Sequence, residues 1–175
     1  MKNLFKIILF IIIFIIPFEN KLFASDVYFI DYSKVMNQSI AGKKAQDNLK
    51  KLLNNSNKKF NDAAKKLKEE ENQIITQRNA LSKEEYKKKA DTLRKKVFDL
   101  NKAREKSIRE IATKRKKTGD EMLKNLNPIL GKYMNENNIS VVIDKKNVLM
   151  GDKKFELTSM IIEILNKEFK SINLN

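Results

Sequence analysis

The chain has no cysteine, no histidine and no tryptophan, and its 175 residues include only four glycines and two prolines. Without cysteine there is neither a disulfide nor a lipid-modified cysteine anchor, so the fold must hold by packing or by assembly. The missing imidazoles and thiols exclude the common zinc sites and cysteine or histidine catalysis. No glycine-rich phosphate loop is present either. The one pair of carboxylates worth weighing, Asp31 and Asp144, ends two strand-like runs. Turn-capping or acceptance from a neighbouring lysine suits them better than acid–base work. An enzyme is not expected, and no cofactor or metal is implied.

The N-terminus has a basic head with Lys2 and Lys6, an apolar run Ile7 to Ile16, Pro17, and a polar stretch ending at Ala24. That order of features reads as a secretory signal peptide over residues 1–24, with an apolar core short for a membrane span. Cleavage is expected after Ala24, although Leu22 at the minus-three position is larger than usual. An uncleaved anchor is the alternative.

Charge is the strongest compositional feature of what remains. Residues 43–118 hold 25 lysines and arginines against 11 acidic residues, a net of +14, while the rest of the chain after residue 24 has 9 against 10, or −1. Such a strip attracts anions: acidic unfolded chains, lipid phosphates or nucleic acid. The bland reading is a solvated, lysine-rich helix surface. In either case the charges act only on what comes within about 8 Å at physiological salt.

Along the same strip runs a helical stripe of apolar or small residues, Ala45, Leu49, Leu52, Ser56, Phe60, Ala63, Leu67 and Ile74. A second follows with Tyr86, Ala90, Leu93, Val97, Leu100, Ala103, Ser107, Ile111 and Thr118. Steps of three and four residues place each set on one side of a helix. Both stripes are about one residue wide, so a lone helix would have little reason to persist. Between them, Ser82 followed by Glu85 is a capping-box pattern, with Glu84 and Glu85 in the first turn, so a helix begins there. If the chain reverses near residues 79–82, facing residues have numbers summing to about 163. Ser56 then meets Ser107, Phe60 meets Ala103 and Ala63 meets Leu100, a close antiparallel seam. A hairpin is favoured over a continuous rod, and its arms would each extend about 54 Å. Gly42 and Gly119 fall opposite each other at its base and are candidate hinge points.

The flanks, 25–42 and 119–175, form the body. Val27 to Asp31 reads as a strand, with Ser33 as cap of a short helix carrying Val35 and Met36. Pro128 should kink or restart a helix running to about Asn137. Ile139 to Ile143 reads as a strand, Asp144 to Asn147 as a turn and Val148 to Met150 as a returning strand. A last amphipathic helix is expected behind a Thr158 cap. Val27, Phe29, Val141, Ile143, Val148, Ile161 and Leu165 are the candidate body core and oligomer contacts. Three short strands and two small helices make a thin core, so other copies of the chain are expected to complete the sheet.

These segments resemble the Skp/OmpH family of periplasmic chaperones. The likeness rests on "VYFIDYSKVMNQSIAGKKAQDNL", "ALSKEEYKKKADTL" and "NPILGKYMNENNISVVIDKKNVLMGDKKFELTSMIIEILN". No single motif is diagnostic; the order of strand-Asp, charged hairpin, strand-Asp, hairpin strand and "LT" helix is. Glu156 stands where many relatives have aspartate before the Leu-Thr pair. The resemblance implies an α+β, mainly helical fold: a small β-sheet or barrel body, trimerised, with long antiparallel helical hairpins as coiled-coil tentacles. It also implies an ATP-independent periplasmic holdase that binds unfolded outer-membrane proteins in the cavity between the arms.

On that reading Phe60, Leu67, Ile74, Leu93 and Val97 offer apolar contact, each read singly as seam packing first. Lys58, Lys59, Lys65, Lys66, Lys87, Lys88, Lys95 and Lys96 draw in acidic clients. Partners would be unfolded outer-membrane proteins, a homotrimer of the chain itself, and anionic lipid or lipopolysaccharide. Nucleic acid is not expected of an exported chain with sparse, unclustered aromatics. The alternatives are a basic coiled coil that binds nucleic acid and a structural envelope tether.

Spin labels placed at Leu52 and Ile111 separate hairpin from rod. Adjacent helices put them roughly 10 Å apart, whereas a continuous helix separates them by about 90 Å.

Overall fold

The computed structural model describes residues 26–173; the expected signal peptide lies outside the described residues. Two strands, β1 (Val27–Ile30) and β2 (Val141–Asp144), flank three helices, α1 (Tyr32–Gln38), α2 (Ile40–Thr76) and α3 (Lys83–Glu136). After β2 come two single 3₁₀ turns, Lys145–Asn147 and Lys153–Phe155, and a last helix, α4 (Thr158–Glu168). β1 and β2 pair in parallel, Val27 opposite Val141 through Ile30 opposite Asp144. Parallel neighbours need a crossover to return the chain to the same end of the sheet. Here the crossover is the entire helical hairpin, so the arm is an overgrown connection between two four-residue strands.

The short helix α1 begins at Asp31, whose side chain accepts from the Lys34 backbone N–H at 2.8 Å. Asp31, and not Ser33 as the sequence led us to expect, is therefore the cap. Ser39 interrupts the helical run: it ends α1 and caps α2, its hydroxyl accepting from the Gly42 N–H at 3.1 Å while fully buried. The two helices pack so closely at this corner that a Cβ on Gly42 would stand 2.3 Å from the Met36 carbonyl oxygen. Glycine at 42 is thus required by close approach.

At the far end Ser82 and Glu85 form the capping box that the sequence predicts. From there α3 runs 54 residues without interruption, about 80 Å. Of the expectation that Pro128 would kink or restart a helix, the restart is corrected: Pro128 lies inside the continuous α3. The bond it cannot donate would have gone to the carbonyl of Lys124, an exposed residue where water can substitute. Asn138, at φ 54°, ends the helix in a left-handed conformation that asparagine tolerates.

A second correction concerns Val148 to Met150, expected as a returning strand. The Asp144 side chain accepts from the Lys146 N–H, and Val148 N–H donates to the Lys145 carbonyl, winding the chain into a 3₁₀ turn. The segment that follows makes no strand pairing among the described residues. Instead Phe29 bridges Glu156, on the side of β1 away from β2, and Leu157 N–H donates to the Phe29 carbonyl at 2.9 Å. Thr158 is also not the cap of α4; Leu157 holds that position.

The core sits where α1, the C-terminal part of α3 and α4 meet the sheet. Val35, Met122, Leu126, Ile161 and Leu165 are fully excluded from solvent, with Ile30, Met36, Ile129, Ile139 and Leu157 around them. Asn166 of α4 fastens the start of α2, its side-chain oxygen accepting from the Ile40 N–H at 2.7 Å. Of the candidate body residues, Phe29, Ile161 and Leu165 are buried in this chain. Ile143 and Val148 are half-buried, and Val27 and Val141 are exposed.

Gly42→Ala forces the α1–α2 corner apart and is expected to destabilise the protein by more than about 1 kcal/mol, against the gain of up to ~1 kcal/mol that the same change gives in an unhindered helix. Urea unfolding followed by circular dichroism measures the sign.

Candidate functional site

The arm is built from α2 and α3 lying antiparallel, and its seam follows the stripes. Ala45, Leu49, Phe60, Ile74 and Thr118 are buried. Ser56 and Ser107, the facing pair whose numbers sum to 163, hydrogen-bond at 2.8 Å. Leu52, Val97 and Ala103 depart from the stripe and are exposed, Leu52 to 40%, and Leu53 beside it is half-buried. Near the turn the two helices are tied by polar contacts, Lys96 to Glu70 at 2.7 Å and Lys89 to Gln77 at 3.0 Å. The Arg78 guanidinium stacks over the Tyr86 ring at 5.9 Å. In the capping box, hydrogen bonds from the Ser82 hydroxyl and backbone hold the Glu85 carboxyl below its ordinary range.

The residues expected to touch a client divide into three groups. Phe60 and Ile74 are buried in the seam, with only 6% and 7% of their surface exposed. Leu67 and Leu93 are half-buried and line, with the 41%-exposed Val97, a groove of about 610 Å³ between the helices. Lys58, Lys59, Lys65, Lys66, Lys87, Lys88, Lys95 and Lys96 are all solvent-exposed. Lys59 already lies over the Phe60 ring at 5.7 Å, and Lys96 is the partner of Glu70. Sequence reasoning missed Ile75, Phe98 and Ile108, which are 56%, 66% and 54% exposed. Each follows a stripe residue directly in the chain. Treating the stripe as one residue wide discarded them, and an exposed phenylalanine amid lysines was the available signal.

Where the arm meets the body, one polar chain joins both strands to α4. The Asp31 N–H donates to the Thr158 hydroxyl at 2.9 Å, and that hydroxyl donates to the Glu156 carboxylate at 2.9 Å. Glu156 in turn accepts from Lys145, also at 2.9 Å. The Lys145 hydrogen bond is the main reason that the Glu156 carboxyl sits below its ordinary range. Beside it the Tyr32 hydroxyl donates to the Gly119 carbonyl at 3.1 Å. Burial, then the charges of Asp120 and Asp144, push that phenol up. Asp31 and Asp144 therefore cap turns, as the sequence favoured, each holding a backbone N–H. Among the described residues no cluster of His, Cys, Asp and Glu is placed to hold a metal ion.

A small mixed body with a long basic helical hairpin inserted between two parallel strands defines a helical-arm protein. Residues 26–165 match the family model described as outer membrane protein (OmpH-like), and the chain belongs to that family. Among solved structures it is similar to a protein of Caulobacter crescentus provisionally described as an outer membrane chaperone (OmpH-like). The TM-score is 0.76 at 16% identity, over 84% of this chain and 87% of that one. No curated protein matches the chain.

The pH behaviour of the joint follows from Glu156. A carboxyl held below its unfolded value contributes stability that is complete above the ordinary glutamate range and is lost as pH falls through the lowered one. Glu156→Gln is therefore expected to lower stability at neutral pH and to flatten its decline below about pH 5. Urea unfolding across that range reads both.

Proposed function

We propose that the chain is an exported, ATP-independent holdase that captures unfolded outer-membrane proteins between basic helical arms and keeps them from aggregating. The observation that carries this reading is the arm itself. It is far longer than the body's own packing requires, carries a net charge of +14 over residues 43–118, and exposes apolar side chains along its length. An unfolded membrane barrel displays apolar strands that associate readily. A long surface of weak apolar and ionic contacts can hold such a chain without imposing a fold, because many weak contacts give avidity without a tight site. Family membership and the structural likeness to an OmpH-like protein support the same reading.

Self-assembly completes the proposal. Among the described residues the sheet has two strands, too few for an independent sheet. Leu149 and Met150 are 104% and 93% exposed, and Val27 and Val141 sit open at the sheet ends. Side chains of this kind are covered when further copies add their strands. Three copies, the number that the family resemblance implies, would set three arms around one cavity. Residues 25–42 and 119–175 would then act as the assembling body, residues 43–118 as the arm, and residues 1–24 as a cleaved export signal to the periplasm. Lysines lining such a cavity also admit anionic lipid or lipopolysaccharide.

The test is dilution of a urea-unfolded outer-membrane barrel polypeptide into buffer with and without the chain from Ser25 onward, followed by light scattering. Suppressed scattering at near-stoichiometric chain, with no nucleotide present, is the expected result. Undiminished aggregation defeats the reading. Raising salt should weaken capture of acidic clients more than of neutral ones, and an equal loss would remove the electrostatic part.

A further inference from the structure

We propose that the arm is two-sided, with one face of the hairpin taking the client and the other serving to bind helix to helix. This inference rests on the holdase reading and narrows its site. In an antiparallel helix pair, residues one and four places after a seam position on either helix share one face. Those one and four places before it share the opposite face.

The first face carries the groove around Leu67, Leu93 and Val97, with Phe98 and Asn101 at its margin. Ile75 and Ile108, each one residue past a seam position, continue it toward the two ends of the arm. Five large apolar residues of the arm proper are strongly exposed among the described residues, namely Leu52, Ile75, Val97, Phe98 and Ile108. All but Leu52 belong to this side. On α3 the same direction brings up Arg94, Arg104 and Arg115, spaced ten and eleven residues apart, or about three turns. Arg94 has 78% of its side chain exposed. Apolar side chains and guanidinium groups thus alternate along one surface.

The opposite face is differently occupied. There Lys96 reaches across to Glu70 and Lys89 to Gln77, and the hollow beside them is lined by Gln73, Glu85 and Thr92. Two of its cations, Lys89 and Lys96, are thus engaged with the partner helix, while Lys59 and Lys106 turn to Phe60 and Glu110 of their own helices.

The occupant that fits the first face is an extended, unfolded polypeptide in which apolar and acidic side chains alternate. Its apolar groups would cover Val97, Phe98 and Ile108, and its carboxylates would meet arginines, whose planar fork matches a carboxylate. Side chains of an extended chain alternate in direction, so neighbouring residues can serve the two kinds of contact.

Because the chain has no cysteine, a single introduced thiol is a unique attachment point. Asn101→Cys lies on the proposed client face and Ala103→Cys on the other; both positions are exposed. Each variant of the full assembly, from Ser25 onward, is labelled with a benzophenone maleimide and irradiated with an acidic, unfolded outer-membrane barrel polypeptide. Cross-linking to the polypeptide is expected to be about fivefold higher from position 101, the ratio for a modest difference in contact free energy. Independently, Phe98→Ser with Ile108→Ser alters only exposed side chains. It should raise the concentration needed for capture by about tenfold, as for losing a fraction of the full burial of two apolar side chains, with the helical circular dichroism signal retained.

Equal yields from the two positions, with capture intact, overturn the sidedness and leave the holdase reading standing. Cross-links from position 101 to another copy of the chain that client does not displace also overturn it, since the face is then an arm-to-arm contact. Failure of the unlabelled chain to suppress scattering removes the holdase reading itself, and this inference with it.

Discussion

The narrowness of the apolar stripe on each arm helix governs the rest of the molecule. A helix with one buried residue per turn and lysines on every other side gains little from leaving solvent alone. Two such helices, laid antiparallel, cover each other's stripe and nothing more. Everything outside the seam therefore stays in contact with water, including side chains that a thicker core would have absorbed. The exposed Val97 and Phe98 are a direct result, as is the dense charge that keeps so long an arm soluble.

The same economy shapes the junction with the body. A crossover of this size transmits any movement of the arm to two strands of four residues each. The junction is secured by contacts that do not depend on a large core: the Ser39 cap, the Gly42 close approach, Asn166 on the Ile40 N–H, and the run from Lys145 through Glu156 and Thr158 to Asp31. Three of these are hydrogen bonds between a side chain and the backbone at helix starts. They fix the directions in which the helices leave the body, a task that nonspecific apolar packing performs poorly.

Much of this was legible in the sequence. The reversal near Ser82 followed from the capping box, and the facing pair Ser56 and Ser107 from the mirror symmetry of the two stripes. What was not legible has physical reasons. Ser39 was passed over as a boundary because its cap partner is a glycine N–H, which leaves no side-chain signature. Pro128 looked like a helix breaker because propensity counts the lost hydrogen bond, whereas the packing of Met122, Leu126 and Ile129 holds the helix on both sides of it. Val148 to Met150 have the residue types of a strand, but a strand needs a neighbour, and none of the described residues supplies one. The overlooked Ile75, Phe98 and Ile108 show the converse: periodicity finds residues that pack and is blind to apolar residues left exposed.

The hydroxyl pair at the middle of the seam has a consequence of its own. Two lean, nearly featureless stripes could slide past each other by one helical repeat at small cost in apolar contact. At every such offset Ser56 and Ser107 would each face a methyl group or a ring, and both would give up a 2.8 Å bond in a partly dry place. A single polar contact thus acts as an index mark. It sets the level of the loop at the tip and so fixes how far the limb reaches.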